Sequence, residues 1–295
     1  MKKIVVLFYV FCCFSVFVLQ AQETAFPAGL DETDTTYLEL GSIDTSSHRI
    51  AGEKPPVRFS FRSKLGLQVF DQGFVPGCVG YTIASSIAIR LVKYCNTKCQ
   101  CNNSLPTFSA SYIYNQVSGG KLTGVSLAVA LDTLCKQGIC PESIFRNDRY
   151  SASRQPGKTA REAAQKYRFW KVERVFFLPG EIPGDDDRNT LMLDLLRAYI
   201  AAGIPVMAGL RCPDDFKNFK GQVYRLTTLP SQANHAAVVV GYDDISKTVE
   251  ILNSFGENWG DQGFCRIGYE DFCRMAKYGY VARLNGIVGD ACDGK

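Results

Sequence analysis

Apolar and polar positions follow different periods in the two halves of this chain. Before residue 203, apolar residues at helical spacing predict helices from Cys78 to about Tyr94, from about Val125 to Lys136, and from Asn189 to Ala202. After residue 203, short apolar segments separated by Asp, Asn, Gly and Pro predict strands. These segments are Pro205–Leu210, Gln222–Leu226, Ala236–Tyr242, Thr248–Leu252, Gly263–Ile267 and Tyr280–Leu284. The pattern predicts an α+β protein with a helical half followed by a β-rich half.

The N-terminus has the pattern of a secretory signal peptide over residues 1–21. Lys2 and Lys3 precede an apolar run from Ile4 to Leu19, and Ala21 suits the residue before a signal-peptidase cut. The run is shorter than the roughly twenty residues that a membrane-spanning helix needs, which favours cleavage over the alternative of a membrane anchor. We therefore expect a secreted, periplasmic or cell-surface protein.

Residues 22–56 are polar, with seven acidic residues against Arg49 and Lys54 and no sustained periodicity. We interpret this segment as a polar arm, a linker or a short pro-segment, in which His48 is a solvated residue. Removal of the signal and the arm leaves residues 57–295. This length suits one catalytic unit better than two independent domains.

Composition limits the classes of function. Hydrophobic residues make up 46% and charged residues 21% of the 295 residues, which argues against an intrinsically disordered protein. The net charge of +4 is spread without a basic block, so we expect no nucleic-acid partner. We also expect a monomer. The chain has only two histidines, so histidine-dependent chemistry depends on His48 or His235.

Twelve cysteines in an exported chain predict disulfides. Two of them leave with the signal, and apart from Cys78 the remaining nine could form four bridges with one cysteine left over. These nine are Cys95, Cys99, Cys101, Cys135, Cys140, Cys212, Cys265, Cys273 and Cys292. The first three are closely spaced but have no histidine nearby, which favours disulfides over a metal site.

Cys78 stands where the first predicted helix begins, after the sequence Asp71-Gln72-Gly73-Phe74-Val75-Pro76-Gly77. A thiol at a helix N-terminus faces unpaired backbone N–H groups and the positive end of the helix dipole, and both favour the thiolate. Gly73 and Gly77 let the backbone approach the thiol, and the Gln72 amide could donate a hydrogen bond to an oxyanion. These features suit a nucleophile, although most cysteines of exported proteins belong to disulfides.

A histidine and an asparagine lie at the ends of two successive predicted strands. His235 precedes the apolar segment Ala236–Tyr242, and Asn253 follows the next strand. Two neighbouring strands can bring Asn253 beside His235, where its side-chain carbonyl would orient the imidazole toward a thiol. Phe255 and Trp259 could cover that hydrogen bond from water.

The three segments together resemble the papain-like cysteine peptidases, and most closely their bacterial exported members. The resemblance covers about Val57 to Leu284, and it rests on Gln72 through Cys78, Asn234 through Tyr242, and Asn253 through Gly260. The order Cys, His, Asn is that of the family. The cysteine and histidine are 157 residues apart, close to the roughly 130 to 150 that are typical.

The resemblance implies a papain-like two-lobed fold, with a helical lobe at about 57–180, a β-barrel-like lobe at about 181–290, and the active cleft between them. It implies hydrolysis of peptide or protein substrates through a thiolate acyl-enzyme, without a metal or an organic cofactor. Residues 22–56 are too few for the long helical pro-segment of the eukaryotic members, which makes zymogen inhibition of that type doubtful.

Carried over by position, the resemblance implies that Cys78 is the nucleophile and His235 the general base and acid. Asn253 would orient the imidazolium, and the Gln72 side chain with the Cys78 backbone N–H would form the oxyanion hole. The substrate-binding positions that it implies are Gly77, Gly124, Val125, Asn234, Phe255 and Trp259.

This sequence departs from the family pattern at several positions. Val79 and Phe255 stand where tryptophan is usual, and Val75 replaces a cysteine, so one disulfide of the family is absent. The glycine pair of the substrate-binding wall is matched best by Gly124-Val125, with Gly119-Gly120 as the alternative.

Two other functions stay open. A thiol-dependent exopeptidase or acyl transferase on the same scaffold would need a segment that blocks the cleft, and residues 22–56 are the candidate. A catalytically silent binding protein would have lost a member of the catalytic set, yet Cys78, His235, Asn253 and Gln72 are all present.

Overall fold

The computed structural model of this chain describes residues 29–30, 54–98, 107–168, 170–177, 186–230 and 232–284. The predicted signal lies outside the described residues, as do the side chains of Cys95, Cys99, Cys101 and Cys292. Within the described ranges, none of the helices combines the length and the apolar character that a membrane crossing needs.

The helices of the described ranges are α1 (Cys78–Lys98), α2 (Ala110–Val117), α3 (Leu127–Gln137), α4 (Lys158–Gln165), α5 (Asp186–Ala201), α6 (Asp214–Lys217) and α7 (Tyr269–Met275). The three predicted helices are confirmed as α1, α3 and α5. α3 begins later than predicted because Ser126 is its N-cap and accepts a hydrogen bond from the Val129 N–H. α1 packs closely on α2, since a Cβ at Gly80 would lie 2.5 Å from the Ala110 carbonyl oxygen.

The strands are β1 (Arg58–Ser60), β2 (Trp170–Phe177), β3 (Val206–Leu210), β4 (Val223–Tyr224), β5 (His235–Asp243), β6 (Thr248–Leu252), β7 (Phe264–Gly268) and β8 (Ala276–Leu284). They form one sheet in the order β2-β8-β3-β5-β6-β7-β4, with β1 paired to β5. All pairs are antiparallel except β4 with β7. The sheet is open because no ladder joins β2 to β4, so the expectation of a barrel-like lobe is wrong in this respect.

The sequence patterns did not predict β1 and β2. β2 lies at the edge of the sheet, and its alternation of apolar and charged residues stops at Arg174, where the register with β8 shifts. Charged residues are common on edge strands because they discourage pairing with another chain. β1 has three residues, too few for any periodicity. Both strands come from the segment assigned to the helical lobe, while α5 is a helix within the segment assigned to the β-rich lobe.

Two hydrophobic cores lie on opposite faces of the central strands. On β3, Val206 and Ala208 belong to one core, and Met207 between them belongs to the other. On β5, Ala236 faces the core that contains α1, whereas Ala237 belongs to the second core. A strand covered on both faces requires apolar residues at successive positions. This double burial explains the continuous apolar run that marked β5 in the sequence.

A short ladder joins the segment before α1 to the segment after β6. Asp71 forms an antiparallel bridge with Phe255, and the Gln72 N–H donates a hydrogen bond of 2.9 Å to the Ser254 carbonyl. The two segments are far apart in the chain. This contact therefore brings the loop that leads to Cys78 beside Asn253.

The cysteines with described side chains are all free thiols. They are Cys78, Cys135, Cys140, Cys212, Cys265 and Cys273. Of the nine cysteines expected to form bridges, only Cys95, Cys99, Cys101 and Cys292 lack a described side chain, so at most two of the expected four bridges can form. Cys140 is packed in one hydrophobic core and Cys212 in the other, where each thiol acts as a small apolar side chain.

Candidate active site

Cys78 is the first residue of α1, and its side chain is 0% exposed. Burial raises the pKa of its thiol to about 12, and hydrogen bonds from the backbone N–H groups of Ala236, Val79 and Gly29 oppose this only in part. The helix N-terminus supplies donors, as the sequence predicts. Loss of water outweighs them, so the thiol is protonated in this structure.

Gly29, a residue of the predicted arm, covers the thiol. A Cβ at this position would lie 2.6 Å from Cys78 Sγ and 2.7 Å from the Pro76 carbonyl oxygen. Any side chain larger than hydrogen would therefore displace either the arm or the loop before α1. The close fit of Gly29 is one cause of the complete burial of Cys78.

The arm residues also pair with positions predicted to bind substrate. The Val125 N–H donates to the Gly29 carbonyl (3.1 Å), and Leu30 forms a parallel β-bridge with Val125. The Leu30 N–H donates to the Asn234 carbonyl at 3.4 Å, and its side chain is buried in the core that contains α1. Strand-like pairing of this kind is how extended peptides bind to an exposed backbone edge. Gly29 and Leu30 therefore occupy the groove expected beside Gly124 and Val125.

His235 is the first residue of β5, and it is 5% exposed. Its Nε2 lies 2.8 Å from Asn253 Oδ1, which also accepts a hydrogen bond of 2.8 Å from the Ser254 N–H. Because Oδ1 can only accept, Nε2 carries the proton of the neutral ring and Nδ1 is the basic nitrogen. Burial lowers the pKa of His235 to about 4, against the opposing effect of the Asn253 hydrogen bond.

The thiol and the imidazole meet where α1 packs on β5. Ala236, the residue after His235, donates its backbone N–H to the Cys78 thiol. The structure thus brings Cys78, His235 and Asn253 to one place, as predicted. Both the thiol and the imidazole are uncharged there, because burial disfavours the charged form of each.

Aromatic rings enclose the imidazole. The Phe255 ring centroid lies 4.7 Å from that of His235, and Phe216 approaches the same ring at 6.1 Å. Trp259 packs behind them and donates its Nε1–H to the Phe216 carbonyl at 2.7 Å. Phe255 and Trp259 were predicted to cover this region. Phe216 was missed because it is one apolar residue in the short polar helix α6, with no periodicity to mark it.

Gln72 is completely buried, and both ends of its amide are bonded. Nε2 donates to the Val75 carbonyl at 3.0 Å, and Oε1 accepts from Ser254 Oγ at 2.7 Å. One N–H of the amide is left for another acceptor. The side chain therefore has the donor that an oxyanion hole requires.

The two glycines of the loop before α1 have different surroundings. Gly73 has φ of +60°, and a Cβ there would lie 2.7 Å from the Arg149 carbonyl oxygen, so it permits packing on Arg149. A Cβ at Gly77 would meet Tyr81 and Val75 at 3.4 Å, which is ordinary contact. For Gly73 the close neighbour is therefore Arg149 rather than the thiol, and the role predicted for Gly77 beside the thiol stays a prediction.

Two predicted substrate-binding side chains serve the fold instead. The Asn234 amide accepts from the Cys212 N–H (2.9 Å) and donates to the Cys212 carbonyl (2.8 Å), so only its backbone faces the arm. Trp259 is 2% exposed and lies behind Phe255. Substrate would meet the backbone of Asn234 and the ring of Phe255 rather than these two side chains.

Comparison with known proteins agrees with this geometry. A family model described as "Papain family cysteine protease" matches residues 90–283. The matched range includes His235 and Asn253 and begins after Cys78.

Among curated proteins, the chain is similar to an uncharacterized peptidase C1-like protein of Acanthamoeba polyphaga mimivirus, with 23% identity over 69% of this chain and 65% of that protein. It is also similar to a gut-specific cysteine proteinase of Caenorhabditis elegans, with 29% identity over 51% of this chain and 42% of that protein. The chain spans less than two thirds of the length of each of these relatives.

Among solved structures, xylellain, a cysteine protease from Xylella fastidiosa, matches with a TM-score of 0.67 and 20% identity over 89% of this chain and 97% of its own. The ragweed pollen allergen Amb a 11, a cysteine protease in its proform, matches with a TM-score of 0.64 and 19% identity over 85% of this chain and 74% of its own. At these identities the likeness concerns the fold.

Proposed function

This chain belongs to the papain family of cysteine proteases, and on that premise we propose that it is an exported peptidase that hydrolyses peptide bonds through a thioester intermediate. The observation that carries the proposal is the 2.8 Å hydrogen bond between His235 Nε2 and Asn253 Oδ1, next to a cysteine at a helix N-terminus. This bond directs the basic Nδ1 away from Asn253. The order of the three residues and the buried Gln72 amide support the same chemistry.

The first half-reaction forms the acyl-enzyme. His235 Nδ1 accepts the proton of Cys78, and the sulfur attacks the substrate carbonyl carbon, so that a C–S bond forms and the carbonyl oxygen becomes negative. The free Gln72 N–H and the Cys78 backbone N–H stabilise that oxygen. The imidazolium then donates its proton to the amide nitrogen, the C–N bond breaks, and the amine leaves.

The second half-reaction restores the thiol. His235 accepts a proton from water, whose oxygen attacks the thioester carbon. The C–S bond breaks, and the imidazolium returns a proton to the sulfur as the acid product leaves. Asn253 holds the ring in one orientation through both steps, and Phe255 shields this hydrogen bond from water.

We propose that the arm keeps the protein latent until it is moved or cut. Gly29 directs a backbone N–H at the Cys78 thiol, and a thiol cannot form an acyl-enzyme with an N–H group. The arm thus occupies the groove without acting as a substrate. The proform state of the ragweed relative supports the idea of an arm that is removed, although residues 22–56 are much shorter than a long helical pro-segment.

The basic and apolar pattern of residues 1–21 supports the proposal that the protein is exported and that the signal is cleaved on secretion. In that compartment Cys95, Cys99, Cys101 and Cys292 are the candidates for disulfides. Mass spectrometry of the secreted chain under non-reducing conditions would report both the cut site and any bridge.

The test of the peptidase proposal is an active-site label combined with a substrate panel. Full-length chain is incubated with a thiol-directed epoxide and with fluorogenic peptides under reducing conditions, beside Cys78→Ala and the arm variant Gly29→Val. We expect labelling at Cys78 and hydrolysis that Cys78→Ala abolishes. If neither the wild type nor Gly29→Val labels or cleaves more than Cys78→Ala, the peptidase proposal is overturned.

The second candidate is an exopeptidase, and the arm in the groove is the observation that favours it. A segment that stays in the cleft would leave room for only a few substrate residues. Hydrolysis of peptides with free and with blocked termini distinguishes an endopeptidase from an exopeptidase. The mass of the enzyme, followed during turnover, shows whether the arm is lost. Loss of the arm and cleavage of doubly blocked peptides support an endopeptidase, whereas an intact arm and release of terminal residues support an exopeptidase.

A further inference from the structure

Two exposed aromatic side chains, one of them in the loop that leads to Cys78, pack on each other. Phe74 is 53% and Tyr150 69% exposed, and their ring centroids lie 5.7 Å apart with an interplanar angle of 31°. Single exposed apolar side chains are ordinary on a protein surface, whereas two rings in contact form an apolar surface that a third ring can extend. This pair is therefore a candidate for contact with a ligand.

Backbone contacts hold the aromatic pair in place. The Phe74 N–H donates to the Arg149 carbonyl at 2.9 Å, so the two loops are joined at the residue before Tyr150. The Arg149 guanidinium also forms an ion pair with Asp71, whose Oδ1 accepts a hydrogen bond of 2.9 Å from the Gly73 N–H. Both rings thus project from a backbone that is fixed before any ligand arrives, which lowers the entropy cost of binding.

The chemistry of the proposed reaction places these rings on the leaving-group side of the scissile bond. The imidazolium of His235 protonates the leaving nitrogen, so the residues that follow the scissile bond pass beside the imidazole. Phe255 packs on that ring with a centroid distance of 4.7 Å, and its backbone forms a β-bridge with Asp71. Phe74 comes three residues after Asp71, which separates their Cα atoms by at most about 10 Å. An extended substrate that passes Phe255 would cover this distance in about three residues.

The described part of the arm does not cover this surface. The Gly29 carbonyl accepts from the Val125 N–H, and the Leu30 N–H donates to the Asn234 carbonyl. Neither bond involves the loop of Phe74, and both rings stay exposed while the arm lies in the groove. The arm and the leaving-group half of a substrate would therefore occupy different parts of the cleft.

We propose that Phe74 and Tyr150 form a specificity site for an aromatic side chain of the substrate, two or three residues after the scissile bond. The inference rests on the proposed peptidase function and names a substrate class for it. The first residue after the bond lies beside the imidazole, so the second and third are those that reach the rings. An aromatic side chain suits the site because its ring can pack offset or edge-to-face on the exposed parts of Phe74 and Tyr150.

The test compares the hydrolysis of two internally quenched peptides by the full chain. They differ only at the second and third residues after the scissile bond, where one carries phenylalanine and the other serine. We expect wild-type kcat/KM to be about 3- to 10-fold higher for the phenylalanine peptide, which is the range for one aromatic contact. Phe74→Ala and Tyr150→Ala should each reduce this ratio to below about twofold. Leu191→Ala, which shortens an apolar side chain of similar exposure on α5, is the matched control and should keep the wild-type ratio.

A partition assay examines the same site after the acyl-enzyme has formed from an aminocoumarin amide, whose leaving group carries no amino-acid residue. An added amine then competes with water: its nitrogen attacks the thioester carbon, the C–S bond breaks, and its proton passes through His235 to the sulfur. We expect alanyl-phenylalanine amide to capture about 3- to 10-fold more of the acyl group than alanyl-serine amide does. Phe74→Ala should remove this difference.

The outcomes distinguish the two proposals, and each assay is repeated in the Gly29→Val background. An inactive wild type and an inactive Gly29→Val overturn the peptidase function and this inference with it. An active enzyme that hydrolyses both peptides equally well, or that keeps its preference in either Phe74→Ala or Tyr150→Ala, overturns the inference alone. An equal loss of preference in Leu191→Ala shows a general structural effect and overturns it as well.

Discussion

Cys78 and His235 are both neutral in the structure, and burial is the cause for each. The pKa of the thiol is raised to about 12 and that of the imidazole is lowered to about 4. An ion pair between them would require water or substrate groups that stabilise the charges. We expect displacement of Gly29 to admit water to the thiol, which would favour the charged form.

Asn253 is the side chain on which the direction of the imidazole depends. Asn253→Ala removes the acceptor for His235 Nε2–H, so the ring can rotate and change tautomer. We expect kcat/KM to fall by about 10- to 10²-fold, less than the 10²- to 10⁴-fold that general acid–base catalysis contributes in full. Iodoacetamide reactivity of Cys78 should fall as well, because His235 would no longer be held in one orientation. Asn258→Ala, at an exposed asparagine nearby, is the control, and a loss below about twofold for Asn253→Ala would contradict this role.

The arm, α1 and the loop before it meet at one glycine. Gly29 is held between Cys78 Sγ and the Pro76 carbonyl. Its carbonyl accepts one hydrogen bond from the Val125 N–H on one side of the cleft, and the Leu30 N–H donates one to the Asn234 carbonyl on the other. A modest steric change is therefore enough to shift the equilibrium between the covered and the open cleft.

Gly29→Val should open the cleft. Its side chain would collide with Cys78 Sγ, and overpacking of this kind costs about 1–3 kcal/mol, which favours the open form by about 5- to 150-fold. We expect faster alkylation of Cys78 by iodoacetamide and faster peptide hydrolysis, by up to that factor. Gly66→Val is the matched control, because a Cβ there meets no atom within 4 Å. Unchanged alkylation in Gly29→Val would show that the arm does not limit access to the thiol.

The two cores and the open sheet between them place the titrating pair in the interior, so its protonation is coupled to folding. The folded pKa of His235 lies near 4 and its ordinary value is 6.5. The unfolded chain therefore binds a proton between these values that the folded chain does not, and stability falls as the pH decreases from about 6.5 toward 4. Cys78 has the opposite effect, because the unfolded thiol ionises above its ordinary value of 9.0. Its contribution to stability is lost as the pH rises above 9.

His235→Gln should remove the loss of folding stability that His235 causes as the pH decreases from about 6.5 toward 4. Urea unfolding at pH 7.5 and pH 5.0 gives the change in free energy of unfolding for wild type and variant. We expect the wild type to lose more stability than His235→Gln over this interval. Carboxylates contribute equally to both proteins, so the difference isolates the histidine. An equal loss in the two proteins would contradict the lowered pKa.

The sequence by itself determines the parts of this protein that depend on neighbours in the chain. The helix that begins at Cys78, the buried strand that begins at His235, and the order of these residues with Asn253 follow from local spacing and from a resemblance to known peptidases. Local spacing could not predict the edge strand β2, whose alternation stops at Arg174. It also could not distinguish a barrel from an open sheet, since closure depends on pairing between strands distant in the chain.

Contacts between segments far apart in sequence decide the state of the site. Gly29 lies on Cys78 and Phe216 lies beside the imidazole, yet neither Gly29 nor Phe216 is marked by a period or a motif. The tertiary structure also decides that the thiol is protonated, because burial outweighs the donors of the helix N-terminus. The chemistry of the catalytic set is thus encoded locally, while its burial, orientation and coverage come from packing.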